Sequence, residues 1–179
     1  MVDRKEYRGQ GKMPAVLLTL SFTLLLACPS WANDNFSIYL VRHAEKQADK
    51  QNPSLTNCGI LRAKQLASLL SEAKIVTVYS TSYQRTMQTA QPLATLNKIA
   101  VKNYNPKYLN QFALQLKQHK KNALIVGHSN TTGMLTSLLS DTEVAPLTED
   151  DYQFLYQVQF LGEEKVVTLL KQPLECFKS

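Results

Sequence analysis

Cysteine is scarce in this sequence, which has three among 179 residues and no Cys-x-x-Cys pair. Neither Cys58 nor Cys176 has a histidine at the spacing of a metal-binding motif, so the sequence predicts neither a metal site nor a cofactor. Internal repeats and low-complexity tracts are also absent, which excludes a collagenous or disordered chain. With 44 % hydrophobic residues, the composition is that of a globular protein.

The sequence also lacks a long apolar run, since a helix needs about 20 consecutive apolar residues to cross a membrane. The uncharged stretch Ala15–Ala27 has thirteen residues and follows a basic leader, which is typical of a signal peptide. Ser30-Trp31-Ala32 places small residues at the two positions that a signal peptidase recognises. We therefore predict a signal peptide at residues 1–32 and one folded domain at 33–179, in an exported protein of the periplasm or the medium. Lipidation at Cys28 and an uncleaved membrane anchor are the alternatives.

The remaining charge is modest. Removal of residues 1–32 takes away four basic and two acidic side chains, which lowers the formal net charge from +6 to +4. This small surplus favours an anionic substrate but does not predict nucleic-acid binding. Export would place Cys58 and Cys176 in an oxidising compartment where they can pair, and their spacing leaves the pairing open.

From Phe36 onward, short apolar runs alternate with helical patterns. The predicted strands are Phe36–Val41, Ile75–Ser80, Ala100–Tyr104 and Ala123–Val126. The predicted helices begin at Thr56 or Asn57, span Gln84–Leu96 with a kink or restart at Pro92, and span Pro106–Lys120 and Thr131–Leu139. Gln153–Leu161 and Lys165–Lys171 flank Gly162-Glu163, which is typical of a hairpin. The pattern predicts an α/β sandwich with a mainly parallel sheet and a C-terminal β-hairpin.

Polar clusters follow three of these strands: Arg42-His43, Ser80–Arg85 and Gly127–Asn130. Because ligands bind beyond the carboxyl ends of parallel strands, we expect the clusters to form one pocket. One guanidinium group can bind two phosphate oxygens at the same time. A neutral imidazole is a competent nucleophile toward phosphorus. Two arginines (Arg42, Arg85) with two histidines (His43, His128) therefore predict a site for phosphoryl transfer.

Three motifs carry a family resemblance. Val41-Arg42-His43-Ala44-Glu45-Lys46 resembles the "RHG" signature of the histidine phosphatase superfamily, the phosphoglycerate mutase-like proteins, with alanine in place of glycine. Ser80–Ala90 (STSYQRTMQTA) is similar to its second block and Ala123–Thr131 (ALIVGHSNT) to its third. The resemblance implies a three-layer α/β/α sandwich, a phosphorylated His43, and a phosphoryl group held by Arg42, Arg85 and His128.

One departure concerns the acid that protonates the leaving group. Many members of the family place a glutamate after the second helix, whereas Gln91–Gln118 contains no Asp or Glu. Glu45, next to the nucleophile, is our first candidate for this proton donor, and Glu143 and the run Glu149-Asp150-Asp151 are the alternatives. Without an acid the site favours good leaving groups, such as phosphohistidine or acyl phosphate.

The sequence thus predicts a metal-independent phosphatase acting on a phosphorylated small molecule, a glycolipid or a phosphoprotein. A non-catalytic phosphate-binding module of the same fold is the alternative. An esterase with Ser129 as nucleophile is disfavoured, because Thr131 replaces the second glycine of that motif and no histidine follows. Alternation along the last strands predicts that Tyr152 and its neighbours Phe154, Tyr156 and Phe160 are packing residues. A place at the edge of the pocket is the alternative for Tyr152, which lies near the start of its strand.

Overall fold

The structure, a computed structural model, describes residues 35–48 and 51–174, all within a compact unit of residues 33–179. The predicted signal peptide and Cys176 lie outside the described residues. The strands are β1 Phe36–Arg42, β2 Thr77–Ser80, β3 Val101–Asn103, β4 Ala123–Gly127, β5 Phe154–Leu161 and β6 Glu164–Lys171. The helices are α1 Asn57–Leu69, α2 Gln84–Leu96, α3 Leu109–His119 and α4 Ser129–Ser140. No helix in these two ranges is long and apolar enough to cross a membrane.

The six strands form one sheet in the order β3-β2-β4-β1-β5-β6. β3, β2, β4 and β1 pair in parallel, and β5 and β6 add an antiparallel hairpin. The predicted, mainly parallel sheet with its C-terminal hairpin is therefore confirmed. β2, β4 and β1 are direct neighbours, so the three strand ends that carry the polar clusters lie side by side.

Helices cover both faces of the sheet, which makes three layers. On one face, Leu66 of α1 and Leu93 of α2 pack against Leu124. On the other face, Phe112 of α3 and Leu135 of α4 belong to the same apolar cluster as Ile125. Because successive residues of β4 point to opposite faces, this strand is buried throughout. The core on both faces holds the carboxyl end of β4 in place.

Two helices begin at residues other than the predicted ones, and their ends differ from the prediction by one residue each. α3 begins at Leu109 and not at Pro106, because a turn comes first: the amide of Lys107 donates to Asn105 Oδ1 (3.0 Å) and the amide of Tyr108 to the Asn105 carbonyl (3.2 Å). α4 begins two residues before the predicted Thr131, directly after His128. Pro92 does not end α2, which continues to Leu96.

The loop after β1 packs tightly against the first turn of α1. The amide of Thr56 donates to the Glu45 carbonyl (2.9 Å), and the Thr56 hydroxyl accepts from the amide of Gly59 (3.1 Å). A Cβ atom on Gly59 would lie 2.3 Å from the Glu45 carbonyl oxygen. Cys58, in the same turn, is disulfide-bonded. Cys176 lies outside the described residues, so its pairing with Cys58, which the sequence leaves open, is not tested.

We expect Gly59→Ala to destabilise the protein, because the new methyl group must push the backbone of Glu45 away. Overpacking of this kind costs about 1–3 kcal/mol of the free energy of unfolding, which urea denaturation measures. Gly162→Asn is the control, because its side chain meets open space in a turn where φ is +65°, a conformation that asparagine tolerates. Equal stability of Gly59→Ala and the wild type would contradict the close contact.

Candidate active site

His43 follows β1 directly and is 3 % exposed. Its amide donates to the carbonyl of Gly127 at the end of β4 (3.0 Å), which ties the two strand ends together. Its ring Nδ1 lies 2.8 Å from the carbonyl oxygen of Ala44. Since a carbonyl only accepts, Nδ1 carries the proton, and in a neutral ring Nε2 keeps its lone pair.

Side chains of α2 hold the backbone that follows His43. The amide of Ala44 donates to Thr89 Oγ1 (3.0 Å), and that hydroxyl donates to the Arg85 carbonyl (2.7 Å). The amide of Leu55, where the loop returns, donates to Gln88 Oε1 (2.7 Å). The Gln88-Thr89 pair of the second motif therefore fixes the loop that orients the His43 ring.

His128 lies beside His43, with 5.6 Å between the ring centroids and 69° between the ring planes. It is the N-cap residue of α4, where the helix dipole favours a bound anion. Its Nε2 is 3.0 Å from Thr81 Oγ1, and Thr81 Oγ1 is 2.9 Å from Thr86 Oγ1. These buried hydroxyl groups fix the position of the His128 ring.

Both predicted arginines reach the two histidines, and each lies over a tyrosine. The Arg42 guanidinium carbon is 4.3 Å from the ring centre of Tyr152, and that of Arg85 is 4.5 Å from the ring centre of Tyr83. Within the described residues, the Nε groups of both arginines are buried and have no hydrogen-bond partner. Buried donors without acceptors are costly, so a phosphoryl group near them would be bound favourably.

The surroundings keep both imidazoles neutral at ordinary pH. Burial, aided by the charges of Arg42 and Arg85, lowers the pKa of His43 from 6.5 to about 3. Burial and the same two arginines lower the pKa of His128 to about 4. A phosphoryl anion between the guanidinium groups would oppose their charge, so we expect its binding to raise both pKa values.

The five carboxyl candidates have different surroundings, and one of them, Asp150, is exposed on the loop that carries Glu149. The Glu45 carboxylate accepts three hydrogen bonds from Arg62 of α1, at 2.6–3.0 Å, which ties this first candidate acid to a neighbouring helix. Glu149 instead contacts the cluster: Oε2 accepts from Arg42 Nη2 (2.7 Å) and Oε1 from the Ser129 hydroxyl (2.6 Å). Asp151 caps Thr148 (2.7 Å), and Glu143 is exposed on the same loop.

Sequence reasoning did not assign Tyr83 to the site and placed Tyr152 in the core. Tyr152 does not belong to β5, which begins at Phe154, and its ring centre lies 6.0 Å from that of His43. Tyr83 is 42 % exposed and packs edge-on against His128 at 5.2 Å. The position of Tyr83, two residues before Arg85, is the one signal that pointed to it.

No group of three or more His, Cys, Asp or Glu side chains within residues 35–48 and 51–174 is arranged to hold a metal ion. The positive charge of the site comes from Arg42 and Arg85.

The profile of the histidine phosphatase superfamily (branch 1) matches residues 38–105. This range contains Arg42 and His43 at the end of β1 and Arg85 in α2. The match covers 68 of the 179 residues. Over this range the chain is similar to the histidine phosphatase superfamily, and its three-layer fold is that of phosphoglycerate mutase-like proteins.

Solved structures share this fold at low sequence identity. The protein histidine phosphatase SixA in complex with tungstate is 13 % identical with a TM-score of 0.62, over 75 % of this chain and 96 % of SixA. A mycobacterial glucosyl-3-phosphoglycerate phosphatase is 9 % identical with a TM-score of 0.61, over 77 % and 99 % of the two chains. Phosphoserine phosphatase of Entamoeba histolytica is 15 % identical with a TM-score of 0.59, over 77 % and 98 %. No curated protein sequence matches significantly.

The low pKa of His43 predicts a loss of stability in acid. Because the folded pKa of about 3 lies below the ordinary 6.5, only the unfolded chain takes up this proton as the pH falls from 6.5 toward 3. Between pH 7 and pH 5, we expect the wild type to lose about 2 kcal/mol more of its free energy of unfolding than His43→Gln. Urea denaturation at each pH measures this.

The comparison has an internal control. Between pH 8 and pH 7 this histidine is mostly neutral in both states, so the two proteins should change in parallel. If the free energies of unfolding of the wild type and His43→Gln also changed equally between pH 7 and pH 5, this result would contradict a buried, neutral His43.

Proposed function

We propose that the protein is a phosphatase that hydrolyses phosphomonoesters or phosphohistidine through a phosphohistidine intermediate on His43. The observation that carries the proposal is the state of the His43 ring. Nδ1 donates to the Ala44 carbonyl, and the low pKa keeps Nε2 unprotonated, so the nucleophile is ready at neutral pH. The match of residues 38–105 to the superfamily profile supports phosphatase activity in general.

In the first proposed step, Nε2 of His43 forms a bond to phosphorus while the bond from phosphorus to the leaving-group oxygen breaks. The phosphoryl oxygens carry negative charge throughout, and donors already in place stabilise that charge best. Arg42, Arg85 and His128 provide these donors from three strand ends. The Ala44 carbonyl stabilises the positive charge that the ring acquires.

In the second step, a water molecule attacks the phosphorus of phosphohistidine. The N–P bond breaks, its electron pair returns to Nε2, and inorganic phosphate is formed. Splitting the hydrolysis in this way replaces one difficult displacement by two easier ones. The proposed reaction draws its positive charge from side chains and is metal-independent.

The substrate is a phosphorylated small molecule, a glycolipid or a phosphoprotein. Proteins of the same fold include a protein histidine phosphatase and a phosphoserine phosphatase, which supports both macromolecular and small substrates. The basic leader and the apolar stretch Ala15–Ala27 support export, so phosphorylated sugars or glycolipids of the cell envelope are the substrates to test first.

Export has a direct test. We expect the full chain, expressed in a Gram-negative host, to yield a periplasmic protein whose N-terminal residue is Asn33. Fractionation followed by intact-mass measurement checks this, with Ala32→Arg as the matched variant in which the cleavage position is blocked. An unprocessed wild-type chain in the cytosol would contradict export, and a lipid-modified mass beginning at Cys28 would favour the anchored alternative.

The catalytic proposal predicts that His43→Asn abolishes turnover. We expect wild-type residues 33–179 to release phosphate from p-nitrophenyl phosphate and to form an acid-labile phosphoenzyme on rapid quench. Both signals should fall at least about 1,000-fold in His43→Asn, because the nucleophile is gone. His119→Asn is the control, since His119 ends α3 and is no part of the cluster.

The outcomes separate the candidate functions. Turnover that survives in His43→Asn would exclude the phosphohistidine mechanism. Absence of turnover on p-nitrophenyl phosphate and on phosphohistidine peptides, with phosphate binding retained in calorimetry, would favour the non-catalytic phosphate-binding module.

A further inference from the structure

The proposed reaction leaves one proton without a source. The oxygen of an ordinary alcohol leaves as an alkoxide unless an acid protonates it, and such catalysis contributes about 100- to 10,000-fold to the rate. The sequence from Ala73 to Ser140, which provides Arg85 and His128, contains no Asp or Glu. A carboxylic acid for this task must therefore come from another part of the chain.

Glu149 is the carboxylate that contacts the cluster among the described residues. It lies on the loop between α4 and β5 and is held between the Arg42 guanidinium (2.7 Å) and the Ser129 hydroxyl (2.6 Å). The side chain of Arg42 is 1 % exposed, whereas that of Glu149 is 73 % exposed. Glu149 therefore lies at the mouth of the site, above the buried arginine.

This location is where a leaving group must be. His43 is 3 % exposed, and in phosphoryl transfer the attacking and leaving atoms lie roughly in line on opposite sides of phosphorus. An attack by the buried Nε2 therefore directs the leaving-group oxygen toward solvent. The exposed carboxylate of Glu149 is on that side.

The other titratable groups of the site are less suitable. The Nε2 atom of His128 is already bound to Thr81 Oγ1 (3.0 Å), and burial lowers the pKa of this ring to about 4. Glu45 is bound to Arg62 by three hydrogen bonds. Burial raises the pKa of Tyr152, which makes its hydroxyl a weaker acid.

We propose that Glu149 is the proton donor to the leaving group, an inference that rests on the phosphatase function proposed above. Glu149 then gives its proton to the leaving-group oxygen as the P–O bond breaks. In the second step its carboxylate takes a proton from the attacking water as the N–P bond breaks. Glu149 is then protonated again and gives this proton to the departing phosphate, so each cycle leaves both Glu149 and His43 as they began.

Substrate binding changes the charge around Glu149. The Ser129 hydrogen bond and the positive charges of Arg42 and Lys46 lower its pKa, so it is ionised before substrate arrives. A phosphoryl group competes for the Arg42 donor and places negative charge beside the carboxylate, and both effects raise that pKa. Phosphomonoesters have a second pKa of about 6, so the monoanion brings the proton that Glu149 takes up.

The inference narrows the substrate class. A site with this acid hydrolyses esters of ordinary alcohols, such as sugar phosphates, whose leaving groups need a proton. Phosphohistidine and acyl phosphates depend less on an acid than esters of ordinary alcohols do, because their leaving groups are better. Glu149 therefore favours an alcohol phosphate as the substrate.

The test compares Glu149→Gln with the wild type on two substrates. For glycerol 2-phosphate, whose alkoxide needs a proton, we expect kcat/KM to fall about 100-fold or more. For p-nitrophenyl phosphate, we expect kcat/KM to change by less than about threefold, because the phenolate leaves without a proton. The ratio kcat/KM covers only the steps up to phosphoenzyme formation, so the second step does not affect it. Glu143→Gln, on the same loop, is the matched control and should resemble the wild type on both substrates.

Each other outcome overturns the inference. Equal losses on both substrates would mean that Glu149 only positions Arg42, and no loss on either would mean that it has no role in the reaction. A wild type that hydrolyses p-nitrophenyl phosphate but not glycerol 2-phosphate would also exclude an acid for alcohols. Failure of the phosphatase function itself is separate, since the wild type would then form no phosphoenzyme with either substrate.

Discussion

The hydrogen bond from His43 Nδ1 to the Ala44 carbonyl links the chemistry of the site to the packing of the whole domain. It sets the ring tautomer, and with it the nitrogen that faces the substrate. The bond in turn depends on how the backbone of Ala44 is held. Its amide is bound by Thr89 of α2, and the following residue, Glu45, is held by Thr56 and lies against Gly59 of α1. Two helices on one face of the sheet therefore fix a single carbonyl group, and a shift of either helix reaches the nucleophile.

Burial of positive charge is the second constraint. A guanidinium group transferred from water into the protein interior loses hydration, and partners must compensate for it. Arg42 receives two partners from one loop, the Thr148 carbonyl and the Glu149 carboxylate, and the ring of Tyr152 on one side. Its Nε has none among the described residues. Two hydrogen bonds thus hold the arginine in place while part of its binding capacity is left for an anion, which is the arrangement that electrostatic preorganisation requires.

The sequence was sufficient to predict the floor of the site, which is formed by the residues that follow the parallel strands. It was not sufficient to predict the mouth of the site, where Glu149 lies. Arg42, His43, Arg85 and His128 meet because they follow parallel strands that are neighbours in the sheet, and strand exits can be recognised from apolar periodicity. Glu45 is next to His43 in the chain, yet its side chain is bound to Arg62, a partner that depends on how α1 packs. Tyr152 follows the alternation of β5 in sequence, but the strand begins two residues later. Glu149 was one of several acidic residues, and only the path of its loop distinguishes it.

That path is determined by the loop itself. Leu147 is buried in the core, and Asp151 accepts hydrogen bonds from the amide and hydroxyl of Thr148 (both 2.7 Å). Between these two anchors, the chain is held as a turn that directs the Thr148 carbonyl and the Glu149 carboxylate at Arg42. The floor of the pocket comes from the sheet and binds the phosphoryl group, which every substrate of a phosphatase shares. The mouth comes from a loop with its own hydrogen bonds and meets the leaving group, which differs between substrates. Changes in this loop can therefore alter the choice of substrate without disturbing the nucleophile.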